Sequence, residues 1–391
     1  MFNLKEAIAE KQEVVIAHYQ YLHQHPELSF EEINTTKYIR EQLEKMGNYT
    51  ITTPTKTGLV AEIKSPNPGK TIALRADIDC LPMLESTNLP YTSQTEGLMH
   101  ACGHDTHTAM LLGVATIISE HINELSGTFR LLFQPAEELP PGGAIEFIKA
   151  GVLEGVDYIL GQHVMPTLPT GQIGLRKGPM MAASDRFEIT IKGSGGHASL
   201  PHSAIDPIAI GAQIVTNLQQ IVSRETDPLD NLVISTTNFH AGGSAYNVIP
   251  DDAVLRGSVR SYRDDTRQYA AKRIQEIATG IAQTHRASIE CDYVFGYDAT
   301  VNNDDVAGIL QDIITEHFGK DALPTIEPLM GAEDFSRYLR IVPGAFYFLG
   351  IRNESKGLTS PIHNSCFQVD TAAFPIGMEV MLRGAIALSK K

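Results

Sequence analysis

Residues 70–79, KTIALRADID, decide how the rest of the chain is read. The apolar run is short enough for a buried strand, and it ends on two carboxylates, Asp77 and Asp79. Working outward, GTFRLLFQPAEE (127–138) and DYILGQH (157–163) have the same form, each an apolar strand with polar groups at its exit. Those groups are Glu137 and Glu138 on one and His163 on the other. Between the strands, TAMLLGVATIISEHI (108–122) and GGAIEFIKAG (142–151) carry helical apolar spacing. Strands alternating with helices predict an α/β fold with a mostly parallel central sheet covered on both faces. Upstream, HPELSFEEINTTKYIREQLEKMGN (25–48) opens with Ser29 and, three residues on, Glu32. That spacing predicts a capping box and a helix that stops at Gly47.

Near residue 180 the texture changes. DRFEITIKG, DPIAIGAQIVTNLQQIVSRE, NLVISTTNFH, DAVLRGSVRSY, DDTRQYAAKRIQEIATGIAQTH and ASIECDYVF follow in turn. They predict β-α-β-β-α-β, a small α+β sandwich. The α/β texture then resumes with VAGILQDIITEHFG and GAFYFLGI. The organisation expected is a catalytic domain in two parts, 1–179 and 296–391, interrupted by an inserted domain over 180–295. Exposed sheet edges on such an insertion are templates for pairing with a second copy, and a symmetric pair would be twofold.

Composition narrows the function. The 391 residues exceed one ordinary core, and 42% hydrophobic with 20% charged residues describes a globular protein. A net charge of −15 argues against a phosphate-tracking surface and leaves small metabolites or peptides as substrates. Cys80, Cys102, Cys291 and Cys366 are scattered, without a CxxC pair, which fits a reducing compartment. The N-terminus reads as an amphipathic helix, and no apolar run approaches bilayer length. The expectation is a cytoplasmic protein with no membrane or nucleic-acid partner.

The stretch MHACGHDTHTAML (99–111) follows the first strand and crowds His100, Cys102, His104 and His107 together. Cys102 and His104 alone could be a buried thiol and an ordinary core histidine. Glu137 and Glu138 alone could be a solvated loop, and on an extended chain they would point opposite ways. His163 alone could be a satisfied core histidine. In open α/β sheets, however, sites form beyond the carboxyl ends of the strands. A Cys, a His, a Glu and a His at successive strand exits therefore predict a metal site. Asp79 and Asp105 are the expected partners for the second nitrogen of ligating histidines, with His107 also a candidate. His23, His25, His100, His202 and His240 are not assigned as ligands.

The motifs LRADID…LP, MHACGHDTH, FQPAEE, GQHV, GGHAS, NVIPD and HNSCF occur in an order that resembles the dinuclear metallo-amidohydrolases over essentially the whole chain. The nearest subgroup contains N-acyl-amino-acid amidohydrolases, hippurate hydrolases, N-acetyldiaminopimelate deacetylases and plant auxin-conjugate hydrolases. The resemblance implies a metallopeptidase-like catalytic domain, an inserted lid that commonly dimerises, and two divalent metals. Their identity stays open among Mn, Zn, Ni and Co. It implies Cys102, His104, Glu138, His163 and His363 as ligands and Glu137 as general base. His197 matches a lid histidine that approaches the substrate carbonyl, and Asn247 and Arg260 match groups that hold its carboxylate. Many relatives place a ligating His-x-Asp where this chain has Arg75-Ala76-Asp77, so the bridging ligand stays open.

The activity these residues imply is hydrolysis of the amide bond of an N-acyl amino acid. The alternatives on the same scaffold are an N-acetyldiaminopimelate deacetylase and a dipeptidase or aminopeptidase. Outside that chemistry stand a cysteine hydrolase using Cys102 and a metal-stabilised binding protein without catalysis.

Overall fold

The structure, a computed structural model, describes residues 2–391. The chain divides into two compact units. The first comprises residues 1–180, 301–327 and 334–391, and the second residues 181–300 with 328–333.

The first unit is built on a seven-stranded sheet. In sheet order its strands are Thr50–Thr52, Leu59–Lys64, Thr128–Gln134, Thr71–Asp77, Tyr158–Pro169, Gly344–Arg352 and Ile173–Gly174. The four central strands run parallel, and antiparallel partners close both edges. Residues 159–166 are buried without alternation, so both faces of the sheet are covered there. The helix His104–His121 is buried almost all round, as a helix apolar on every side must be. Leu4–Gln24, His104–His121 and Phe374–Ser389 pack on one another, and Asp304–Phe318 packs on the last of these.

Three sequence expectations change. The strand expected to end at His163 runs on to Pro169. Residues 371–389 are, by length and composition, apolar enough to cross a bilayer, although most of that stretch is buried in the fold. The helix Ile33–Met46 does end on a left-handed Gly47, but it begins without a capping box. Glu32 occupies the N-cap position and makes no side-chain cap; Ser29 and Glu32 turn elsewhere.

The second unit has a four-stranded antiparallel sheet in the order Leu232–Ala241, Asp252–Ser261, Ala183–Lys192, Ser288–Tyr297. Its core side chains alternate, with Phe187, Ile189 and Ile191 facing Ile210, Ile214 and Ile274 of the helices Pro207–Gln220 and Asp264–Thr284. Glu188 and Lys192 take the other face and pair with Arg256 and Glu290. Arg267 ties its helix to the sheet through Asp185 and Asp298, both at 2.6 Å.

Candidate metal centre

Strand register brings the chemistry together. Asp77 pairs with Gln134 and Arg75 with Gly161, so two residues past the second pair Asp77 and His163 lie level. Glu137 and Glu138 follow three and four residues after Gln134. Asp77, Glu137 and Glu138 are therefore at or just past the carboxyl ends of their strands, and His163, midway along the longer strand Tyr158–Pro169, is level with them. The loop carrying Cys102 returns to the same rim through Gly103, whose φ of +87° starts the helix at His104. A Cβ on Gly103 would lie 2.4 Å from Val164 Cγ2, so only glycine lets the helix start this close to the strand.

The imidazoles of His104 and His163 are aimed by their Nδ1 atoms. His104 Nδ1 lies 3.0 Å from both the carbonyl and the Oδ1 of Asp79, and its buried Nε2 has no hydrogen-bond partner. His163 Nδ1 donates to the Val164 carbonyl at 2.7 Å, and its Nε2 lies 3.3 Å from Cys102 Sγ. His363 comes from the far end of the chain and holds a left-handed φ of +58°. Its backbone N–H donates to the Ala101 carbonyl at 2.7 Å. Its Nε2 reaches Cys102 Sγ at 3.3 Å and Glu138 Oε1 at 3.2 Å.

Potential ligand atoms gather in overlapping groups, each within 4.8 Å: Cys102, His104 and His163; Cys102, Glu138 and His363; His104, Glu137 and Glu138. All five residues expected as ligands, with Glu137, are thus in one cluster. Glu137 and Glu138 do not diverge as adjacent residues of an extended strand would. The chain bends after Ala136, which has a left-handed φ of +53°, and both carboxylates approach His104.

The electrostatics favour a cation here. Burial, then Glu138, Glu137 and Asp77, push the Cys102 thiol well above its ordinary range. Burial pulls His104 down, yet Asp77, Asp79 and Glu138 raise it to about 10, so this point attracts positive charge. Burial, with His107 and His104 nearby, drives His163 well below the usual range and leaves it neutral. A buried thiol, the unpartnered Nε2 of His104, the Nε2 atoms of His163 and His363 turned onto Cys102, and the Glu138 carboxylate form a donor set that fits divalent metal.

Asp77 is already engaged. Its Oδ1 accepts from His107 Nδ1 at 2.6 Å and its Oδ2 from Arg75 Nη1 at 2.6 Å. His107 Nε2 in turn accepts the Val164 N–H at 2.9 Å, which fixes its tautomer and makes it a support for the His163 strand. Arg75 also reaches Asp334 Oδ1 at 2.8 Å and Gln134 Oε1 at 2.8 Å. Asp105, expected behind a ligand, instead accepts from His23 Nδ1 at 2.6 Å. His23, in the last turn of the helix Leu4–Gln24, is buried between Asp105 and Glu85. His100 is buried with both ring nitrogens unpartnered, and burial lowers it to about 4.

In the second unit, His197 and Asn247 are neighbours. The pair Gly196–His197 lies antiparallel to Val248–Ile249, and Ala198 N–H donates to the Asn247 carbonyl at 2.9 Å. His197 is exposed, with Nδ1 2.7 Å from the Ser199 hydroxyl. Arg260 lies on the sheet strand Asp252–Ser261, partly buried, with Nη1 buried and unpartnered.

The sequence model of peptidase family M20/M25/M40 matches residues 73–386. The chain is similar to thermostable carboxypeptidase 1 of Saccharolobus solfataricus, 42% identical over 99% of this chain and 98% of that protein. It is 47% identical to an N-acyl-L-amino acid amidohydrolase of Geobacillus stearothermophilus, over 77% of this chain and 81% of the relative. A dinuclear metal binding peptidase of Bacillus subtilis superposes with a TM-score of 0.86 at 37% identity, covering 97% of this chain and 99% of that structure.

Proposed function

The chain belongs to peptidase family M20/M25/M40, and on that premise we propose that it hydrolyses the amide bond of N-acyl amino acids, with Glu137 as general base. The observation that carries this reading is the cluster around Cys102, with a carboxylate beyond the ligand set, Glu137, close to His104 and Glu138. A purely structural metal site has no use for that additional group.

Two divalent ions, Mn, Zn, Ni or Co, would be held by Cys102, His104, Glu138, His163 and His363. Cys102, His104 and Glu138 each belong to two of these ligand groups. When bound, the metal supplies Lewis acidity to the scissile carbonyl and the attacking water. Glu137 takes the proton from that water and delivers it to the departing amine nitrogen. His197 donates to the carbonyl oxygen as charge develops there. Arg260 presents a rigid guanidinium fork to the substrate carboxylate, assisted by Asn247. The raised thiol of Cys102 counts against a cysteine nucleophile, which needs a lowered pKa.

Association into a homodimer through the second unit belongs to the same proposal. It is supported by the edge strand Leu232–Ala241, which exposes Val233 and Phe239. Four free cysteines support a cytoplasmic setting. The carboxypeptidase relative favours a second reading, in which the acyl group is a peptide and the released amino acid its C-terminal residue.

Turnover of N-acetyl, N-benzoyl and N-indoleacetyl amino acids beside short peptides, with each metal added in turn, separates these readings. Glu137→Gln should keep metal content near wild type and lower kcat at least ~10²-fold, whereas Glu138→Gln should lose metal. Exchanged phenotypes would reverse the assignment of base and ligand.

A further inference from the structure

Ser29 and Glu32 have the spacing of a capping box, yet neither caps the helix that follows. The Ser29 hydroxyl donates to Asp79 Oδ2 at 2.7 Å, and Glu32 Oε1 accepts the Ala136 N–H at 2.8 Å. Glu32 is completely buried. A carboxylate withdrawn from water is costly unless its bonds do something that an apolar side chain could not. Thr57 also bonds the Glu32 side chain, and another of that side chain's bonds falls on the residue immediately before Glu137.

Ala136 is a conspicuous place for such a bond. Its φ of +53° is disfavoured for a residue with a Cβ, by roughly 1 kcal/mol or more. Both its backbone groups are held: the N–H by Glu32, and the carbonyl by the Gly143 N–H at 2.9 Å. Gly143 has to be glycine for this, because a Cβ there would sit 1.9 Å from the Pro135 carbonyl oxygen. The left-handed turn at Ala136 is what sends Glu137 and Glu138 to the same side. One residue further on, the Glu138 N–H donates to Asp79 Oδ2 at 3.0 Å, the oxygen that Ser29 also holds.

The segment that delivers Ser29 and Glu32 is itself anchored. Leu28 bridges to Cys80, whose N–H donates to the Glu27 carbonyl at 2.9 Å. Phe30, between the two polar residues, takes a left-handed φ of +66°. The Glu32 carbonyl accepts from the Thr36 hydroxyl at 2.6 Å, and that hydroxyl accepts the Gly58 N–H at 2.7 Å.

We propose that Glu32 is a positioning residue of the reaction: by holding the Ala136 N–H it fixes the turn that aims Glu137 and Glu138 into the metal centre. The inference rests on the reading of Glu137 as base and Glu138 as ligand, and it adds the residue that sets their direction. Glu32 is outside the expected ligand set. Its effect is transmitted through one peptide group.

The test uses the full chain with Glu32→Gln, Glu32→Ala and the near-isosteric Glu32→Met, which keeps volume should the alanine variant fail to fold. An amide oxygen still accepts from Ala136, so Glu32→Gln should stay within about threefold of wild-type kcat. Glu32→Ala and Glu32→Met should lower kcat about 10- to 100-fold, the range for lost partners behind a metal site, with KM changed less than about threefold. In a Glu137→Gln background, Glu32→Met should cost little more, because the base it positions is already gone. Independently of turnover, hydrogen exchange of the Ala136 amide should be slow in wild type and in Glu32→Gln and fast in Glu32→Met, measured on metal-free protein.

Wild-type kcat in Glu32→Met, a glutamine variant as slow as the methionine one, or losses that simply add to Glu137→Gln would each overturn the proposal. A fast Ala136 amide in wild type would overturn it as well. If Glu137→Gln alone proves fully active, the assignment of the base fails, while the exchange result still reports on the Glu32 contact.

Discussion

Asp79 grips His104 twice, with its backbone carbonyl and its Oδ1 each 3.0 Å from His104 Nδ1. The ring's free lone pair is therefore at Nε2, facing the cluster. The other carboxylate oxygen of Asp79 accepts the Glu138 N–H, so one buried side chain orients two expected ligands. Asp79→Ala should weaken divalent-metal affinity about 10- to 100-fold. Competition against a chelator of known affinity measures this, and unchanged affinity would remove Asp79 from the account.

Arg260 offers a second test, on the substrate side. Its Nη1 is buried without a partner, a state that a bound carboxylate would relieve. Arg260→Ala should raise KM for N-acyl amino acids about ten- to a hundredfold, as expected for a charged bidentate bond of ~1.5–3 kcal/mol. Substrates whose carboxylate is amidated should be affected much less. Equal losses on both would leave Arg260 with a structural role only.

Much of this centre is legible in the sequence because strand exits of a parallel sheet must share a rim. KTIALRADID, GTFRLLFQPAEE and DYILGQH have a periodicity that sets the strands, and the sheet then brings their ends together. His363 has no such signal: it is reached through a loop and a left-handed backbone, and only the family resemblance pointed to it. The supports behind the ligands were also hidden. Ser29 and Glu32 carry a local capping pattern, but tertiary partners, Asp79 and Ala136, take both side chains. Asp334, about 200 residues from Gln134, joins Arg75 through a contact that no local spacing encodes. The divergence expected for Glu137 and Glu138 assumed an extended chain, and the left-handed turn at Ala136 removes that premise.

His23 predicts a pH dependence of stability. Burial lowers it, but Asp105 and Glu85 accept its ring protons and raise it to about 9, from an ordinary 6.5. A histidine raised in the folded state contributes its full stability below about pH 6.5 and loses it as pH rises through about 9. The contribution is on the order of 3 kcal/mol, from ~1.4 kcal/mol per unit. Compared with His23→Gln in the presence of chelator, wild type should lose about that much unfolding free energy between pH 6 and 9.5. A difference between the two proteins that is constant over this range would contradict the assignment.

Arg267 governs the second unit. Its guanidinium is buried between Asp185 and Asp298 and also donates to the Gly296 and Tyr297 carbonyls. Arg267→Ala leaves two carboxylates without their cation, a change worth about 3–5 kcal/mol at buried pairs. Denaturant unfolding followed by a probe in residues 181–300 should show that loss. A shift under ~1 kcal/mol would mean that water reaches the carboxylates and the pair contributes little.

The central claim is that amide hydrolysis by this chain requires divalent metal at the Cys102 cluster. The most direct measurement is release of free amino acid from an N-acetyl amino acid by protein stripped with chelator, its metal content verified by elemental analysis, before and after divalent metal is returned. The account predicts no turnover above background in the stripped protein and recovery as metal is restored. Undiminished turnover by protein shown to be metal-free would contradict it.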